Sequence, residues 1–278
     1  MNPFTVSLIL CAAITAGTWL ASVLTHEHSW VDRIWSVAPI AYVWIFAAGD
    51  GFSPRLVLMA LLVTAWGIRL TFNFARKGGY RPGSGEDYRW AILRGRMPGW
   101  AFALFNIAFI SIFQNALIFA ITLPALTASG SATPIGVWDL VLAIAFVAFL
   151  VGETVADQQQ WEFHRWKQAE REAGRSPEPG FLQSGLFRVS RHPNFFFEQA
   201  QWWVLYGFAI AATGVWLHWT IAGAVLLTAL FIGSTVFTES ISSQRYPDYR
   251  EYRRRTSMLV PWFPRPAGLP TGASAARS

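Results

Sequence analysis

The 278-residue chain is 53% hydrophobic and 14% charged, well below the roughly 25% charge of an ordinary soluble domain. That balance excludes a pair of soluble domains, although the length would accommodate two. The net charge of +6 sits in loops between apolar runs, which points to anionic lipid or an anionic cofactor and away from nucleic acid. The single cysteine, Cys11, allows no intramolecular disulfide and no thiolate cluster, and inside the first apolar run it reads as an inert packing thiol.

A hydrocarbon core about 30 Å thick needs roughly 20 apolar residues per helix. In chain order the predicted spans are residues 3–24, 34–48, 54–74, 100–126, 135–156, 195–213 and 216–239. The first follows Met-Asn-Pro-Phe, with no basic n-region, and is expected to stay as a span rather than be cleaved. The second is short and relies on Trp30 and Trp35 at the interface. The expected fold is thus all-α: a polytopic membrane bundle of about seven helices, one domain over 1–267, and a disordered Gly/Ala/Ser-rich tail over 268–278.

Seven spans place residues 25–33 and the long polar segments 75–99, 157–194 and 240–278 on one side. That side carries twenty of the 22 Lys and Arg residues, so the positive-inside rule puts it and the C-terminus in the cytoplasm. The location expected from this is an integral multi-pass membrane one with the C-terminus in the cytoplasm. Within the last segment, residues 246–255 (YPDYREYRRR) read as a short amphipathic helix lying on the membrane surface or touching a cofactor.

No P-loop, strand-linked GxGxxG, HExxH or GxSxG occurs, and the five His are scattered, so no metal site is expected. The informative residues are acids at span ends. Glu153 and Asp157 share one helix face, and an ionised acid at depth costs roughly 2.5–3.5 kcal/mol unless it finds a donor or water. Glu198 and Glu239 sit similarly, with interhelical pairing as the plain alternative. Residues 185–198 read GLFRVSRHPNFFFE. Pro193 suits a helix first turn, which crowds Arg188, Arg191 and His192 at an N-terminus that favours an anion, a cofactor phosphate or a lipid headgroup. Asn194 and Glu198 share a face there. Arg69 lies near the end of the third span, placed to snorkel or to bind phosphate. Glu86 and Asp87 before Arg89 read as a helix start or as ribose ligands.

At these residues the sequence resembles the steroid 5α-reductase-like membrane reductases, over about residues 32–264. The similarity is carried by DRIW (32–35), WGIRL (66–70), GEDYRW (85–90), ETVADQ (153–158), the RHPNFFFE core (191–198) and YREYRRRTSMLVP (249–261). The resemblance implies a seven-helix bundle with NADPH in its cytoplasmic half and a lipidic substrate arriving from the bilayer. Hydride would pass to the β-carbon of an enone while an acid polarises the carbonyl oxygen. By motif, Asp157, Arg191, Asn194 and Glu198 would line the cofactor beside Glu153's helix face, with Arg69, Arg76 and His192 near its phosphates.

 The cofactor set therefore includes Glu153, four residues before Asp157.

The steroid enzymes polarise the carbonyl with a Glu on the second span and a Tyr on the third. The nearest positions here are Asp32 and Trp66. Indole donates a hydrogen bond but is no acid; a buried, protonated Asp32 still donates, and Tyr88 or Tyr80 would supply a phenol if the preceding loop folds inward. The expectation is NADPH-dependent reduction of an activated double bond in a hydrophobic small molecule, with Asp32, Trp66 and Tyr88 as catalytic candidates. Two alternatives stand beside it. One is an S-adenosylmethionine-dependent isoprenylcysteine or lipid methyltransferase, which shares the RHP element and a Glu followed by YxxY (Glu239, Tyr249 and Tyr252). The other is a non-catalytic lipid-binding or transport protein.

Overall fold

The structure is a computed structural model and describes residues 1–81 and 86–265. Gly85 of the GEDYRW stretch and the tail 268–278 lie outside the described residues. Helices make up the architecture, and no strand is formed among the described residues. In chain order they are α1 (Pro3–Thr25), α2 (Trp30–Ile34), α3 (Ala38–Gly49), α4 (Pro54–Arg76), α5 (Tyr88–Arg96) and α6 (Gly99–Phe105). A π-helical stretch (Asn106–Phe113) then leads into α7 (Gln114–Ala120) and α8 (Leu123–Ala128). After these come α9 (Val137–Glu172), a 3₁₀ turn (Gly185–Arg188), α10 (Pro193–Thr213), α11 (Ile221–Arg245) and α12 (Tyr249–Arg255).

Five stretches are long and apolar enough to cross a bilayer: Pro3–Thr25, Pro54–Arg76, Gly99–Ala128, Val137–Glu172 and Ile221–Arg245. They fit a multi-pass membrane protein. The other two predicted spans differ for physical reasons. Of residues 34–48, Ile34 ends α2 and 38–48 lie in the 12-residue α3 after a three-residue break, where Pro39 favours a fresh helix start. Residues 195–213 lie within the 21-residue α10, Pro193–Thr213, but Asn194, Glu198, Gln199 and Gln201 dilute its apolar character. α9 continues to Glu172 because no Gly or Pro interrupts its polar half; Gly174, at φ 71°, follows its end. α11 starts later than predicted, because His218 N donates to the Tyr206 hydroxyl (2.8 Å) and holds the preceding residues in a turn.

The chain divides into two compact units, Met1–Leu150 with Gln199–Leu230, and Val151–Glu198 with Phe231–Ser278. In the first unit, small and polar residues let helices approach, as expected where lipid removes the hydrophobic drive for helix pairing. Gly67 lies so close to the Ser36 carbonyl and the Ile40 side chain that a Cβ there would collide with both. Ser36 Oγ meets Thr71 Oγ1 at 2.7 Å, and Trp44 Nε1 donates to Thr64 Oγ1 at 3.0 Å. Asn106 Nδ2 donates to Ser22 Oγ (2.9 Å), and Asn115 Nδ2 to Thr18 Oγ1 (3.1 Å), so the π-helical stretch and α7 are stitched to α1. Arg55 is buried and forms a two-pronged pair with Asp139, at 2.7 and 3.0 Å.

In the second unit, Gly152 closely faces the Phe197 ring, and Lys167 donates to the Gly180 carbonyl (2.5 Å) and the Tyr246 hydroxyl (3.1 Å). Residues 189–192 run beside 257–262. Arg191 N donates to Ser257 O (2.8 Å), His192 N to Met258 O (3.2 Å), and Trp262 N to Val189 O (2.9 Å). These bonds tie a C-terminal strap to the start of α10.

Candidate functional site

The first unit brings together the turn before α2, α2 itself and the start of α5. Asp87 caps α5 by accepting from Arg89 N (2.9 Å), and its own N–H donates to Ser29 Oγ (2.9 Å). Of the two readings of Glu86 and Asp87, the helix start is therefore the one realised. Glu86 accepts from His28 N (3.1 Å) and Arg94 Nη2 (2.6 Å) and lies 3.0 Å from His28 Nδ1. Burial works against the Glu86 charge, yet these hydrogen bonds and the Arg94 charge hold its carboxyl below the usual range. Arg33 is buried, pairs with Glu27, donates to Gly79 O (3.2 Å) and lies over the Trp30 ring.

Asp32 stands among these groups. Burial pushes its carboxyl up to about 6; the Ser29 hydrogen bond opposes the shift, Asp87 adds to it, and Arg89 and Arg33 oppose it. A carboxyl so shifted keeps its proton up to about pH 6 and in that form is able to donate.

Trp66, on α4, is fully buried and meets Trp202 edge-to-face at 4.8 Å between ring centroids. Neither indole N–H has an acceptor among the described residues. A buried donor without a partner costs roughly 1–3 kcal/mol and calls for an explanation such as a ligand. Arg76 Nε donates to Asn73 Oδ1 (2.9 Å), and Arg69 lies two turns earlier on the same helix. Tyr88 is 53% exposed at the first turn of α5.

The second unit holds Glu153, Asp157, Arg191, His192, Asn194 and Glu198. Glu153, Asp157 and Glu198 are all buried. Arg191 and His192 converge on Glu239. Arg191 donates through Nε (2.6 Å) and Nη2 (3.1 Å), and His192 Nε2 lies 3.1 Å away. Arg253 adds a third cation at 3.1 Å. Arg191 Nη1 also donates to the carbonyls of Arg253 (3.0 Å) and Thr256. The plain reading of Glu239, interhelical pairing, is the arrangement found, with Arg191 and His192 just before α10 and Arg253 of α12 as its partners.

NADPH is the group implied by the resemblance, and the residues fit it unevenly. Three buried carboxylates and the Asn194 amide are suited to hydroxyl and carboxamide donors. Arg191 and His192 spend their hydrogen bonds on Glu239 and the strap instead of presenting an open fork to phosphate. A shallow groove of about 360 Å³ also lies in this unit, lined by Gln159, Glu162, Phe163, Trp166, Leu182, Ser184 and Gly185; none of the predicted site residues lines it.

Sequence reasoning did not single out Trp202, or Asp139 as the partner of Arg55. An acid in the first turn of an apolar span, with one Arg at the facing end of another, was the available signal for Asp139. An indole N–H left without a partner has no sequence signature.

Fold and site together define a multi-pass helical membrane protein with a protonatable acid, a buried indole donor and an acid-rich second unit. Residues 18–256 match the family described as "Protein of unknown function (DUF1295)". The chain belongs to that family. It is 39% identical over 280 residues to an uncharacterized protein of Schizosaccharomyces pombe, covering 94% of this chain and 80% of that relative. No solved structure matches.

Proposed function

We propose that this chain is an integral-membrane, NADPH-dependent reductase of an activated carbon–carbon double bond in a neutral, hydrophobic substrate. The reading takes the fold as seven spans, counting α3 and α10, with the C-terminus in the cytoplasm and a bacterial inner membrane as its location. The observation that carries it is the Trp66 indole N–H, fully buried on a membrane-crossing helix and lacking an acceptor among the described residues. A substrate carbonyl oxygen is an acceptor suited to it.

When bound, NADPH would supply a hydride for the β-carbon of the enone. Trp66 holds the carbonyl oxygen and favours the negative charge that gathers there. Asp32 carries a proton for the resulting enolate and recovers it from water. Within the second unit, Glu153, Asp157, Asn194 and Glu198 would hold the cofactor's ribose. The apolar helices keep water from the hydride. The methyltransferase alternative draws less support, since Glu239 is taken up by Arg191, His192 and Arg253.

Purified protein in lipid nanodiscs should bind NADPH saturably and S-adenosylmethionine not at all. Absence of saturable NADPH binding at roughly 100 μM overturns the reading, since an affinity weaker than that is too poor for a dedicated cofactor. Trp66→Phe should leave NADPH binding intact and slow the reduction of lipophilic enones roughly 100-fold.

A further inference from the structure

The segment after the last membrane-crossing helix is built unlike the rest of the second unit. α12 carries Arg250, Arg253, Arg254 and Arg255 within seven residues against one acid, Glu251. Arg253 is drawn towards Glu239, whereas Arg250, Arg254 and Arg255 are exposed. Past α12 the strap turns back, and Arg265 N donates to the Arg255 carbonyl (2.9 Å). The strap displays Val260, Trp262 and Phe263 at 59, 70 and 84% exposure.

These apolar side chains stand on a fixed backbone. Trp262 N is held by Val189 O, Ser190 Oγ donates to Leu259 O (2.6 Å), and Arg191 binds the carbonyls before the strap. A tethered segment that exposes Trp and Phe beside a rim of arginines is poorly suited to water. It has the composition of an interfacial anchor, in which apolar rings enter the headgroup boundary and cations meet anionic lipid.

Chain length narrows the choice of partner. α11 crosses by length and composition and ends at Arg245, and α12 begins at Tyr249. The intervening residues reach at most about 14 Å when fully extended. Whatever lies beside the end of that span lies beside α12, and in a cell that is the headgroup layer.

We infer that α12 and the strap form a docking surface for the anionic headgroups of the bilayer, with Val260, Trp262 and Phe263 as the apolar wedge and Arg250, Arg254 and Arg255 as the cationic rim. Because Arg191 and His192 bind both the strap and Glu239, headgroup binding bears on the start of α10, where Asn194 and Glu198 sit. This surface does not depend on the reductase reading and holds or fails without it.

The test uses the full chain in nanodiscs, made either of phosphatidylcholine alone or with about a third phosphatidylglycerol, which supplies the anionic surface. In a Cys11→Ser background, a spin label is attached through Val260→Cys. The expected result is a label more accessible to oxygen than to a water-soluble nickel chelate, and more so with the anionic lipid. Adding Arg250→Gln and Arg254→Gln should abolish the difference between the two discs. A label equally open to the nickel chelate in both discs overturns the inference; so does one buried in lipid with no dependence on anionic content. Amide exchange over residues 249–263 of the unaltered chain is the companion measurement. Slowing of several-fold in anionic discs is expected, and equal exchange counts against the surface. Slowing by soluble inorganic phosphate in the phosphatidylcholine discs, to the same extent, would assign the rim to a free anion and overturn the lipid assignment.

Discussion

The two charged regions of this protein solve the same problem in opposite ways. In the second unit, Glu239 is almost wholly buried and meets Arg191, His192 and Arg253. Its charge is met from several sides, and what the cluster gains is a fixed strap. In the first unit, among the described residues, Asp32 has a serine hydrogen bond and more distant arginines, with Asp87 working against them. That carboxyl answers burial by keeping its proton up to about pH 6. A matched acid is a structural joint, whereas a poorly matched one is a proton store, and the surroundings decide which is which.

The sharpest way to break the comparison is Glu239→Gln. It leaves Arg191 buried without a counter-charge, and losing one partner of a buried pair costs about 3–5 kcal/mol. A large fall in thermal midpoint in detergent is expected, with faster tryptic cleavage around Arg253–Arg255 as the strap comes loose. Replacing both partners, as in Arg191→Met with Glu239→Leu, should recover much of the loss, because apolar groups of similar volume need no counter-charge. If Glu239→Gln melts with the parent and its strap stays protected, the cluster is no joint.

The Asp32 side of the comparison predicts a smaller effect of definite sign. Its folded carboxyl is raised from 3.8 to about 6, so between those values the folded state binds more proton than the unfolded one. Stability contributed by Asp32 is therefore full below about pH 4 and is lost as pH rises through 6. Allowing for its partial exposure to water, the change is on the order of 1–2 kcal/mol. Asp32→Asn should flatten that part of the profile and be the more stable protein at pH 7.5. Infrared spectroscopy of the parent should show a protonated-carboxyl band, lost between pH 5 and 7 and missing from Asp32→Asn. A band that vanishes by pH 4.5 would place Asp32 among the matched acids.

Much of the fold was legible because its signals are local. Apolar runs, Pro54 and Pro193 at helix starts, and the acids before Arg89 each act within a turn, and α4, α5 and α10 begin where those residues direct. The break between α2 and α3 was missed, since residues 34–48 are apolar but for Ser36 and hydropathy does not register a three-residue interruption; Pro39 was its local signal. The site was legible in its residue types but not in its pairings. Arg191 and Glu239 are 48 positions apart, and no periodicity reports which of several arginines a buried acid selects. Trp66 was marked as a departure from the tyrosine of the resembling enzymes; only the structure shows its N–H without an acceptor among the described residues.

The weakest expected effect separates the two regions on a third axis, their response to salt. Arg94 pairs with Glu86 in the first unit, with side chains 42% and 27% exposed. Pairs this open to solvent are worth about 0–1 kcal/mol and are screened by salt. Arg94→Gln should therefore cost at most about 1 kcal/mol at low ionic strength. Glu86 would retain its two contacts with His28, so its carboxyl should move only part of the way back towards its ordinary value. In high salt the variant and its parent should melt together, because ions in solution already do what the substitution does. The Glu239 cluster, shielded from those ions, should show the same loss at either ionic strength. If instead Arg94→Gln kept its full cost in salt, the first unit's charges would be as sequestered as those of the second, and the contrast between joint and proton store would fail at its exposed end.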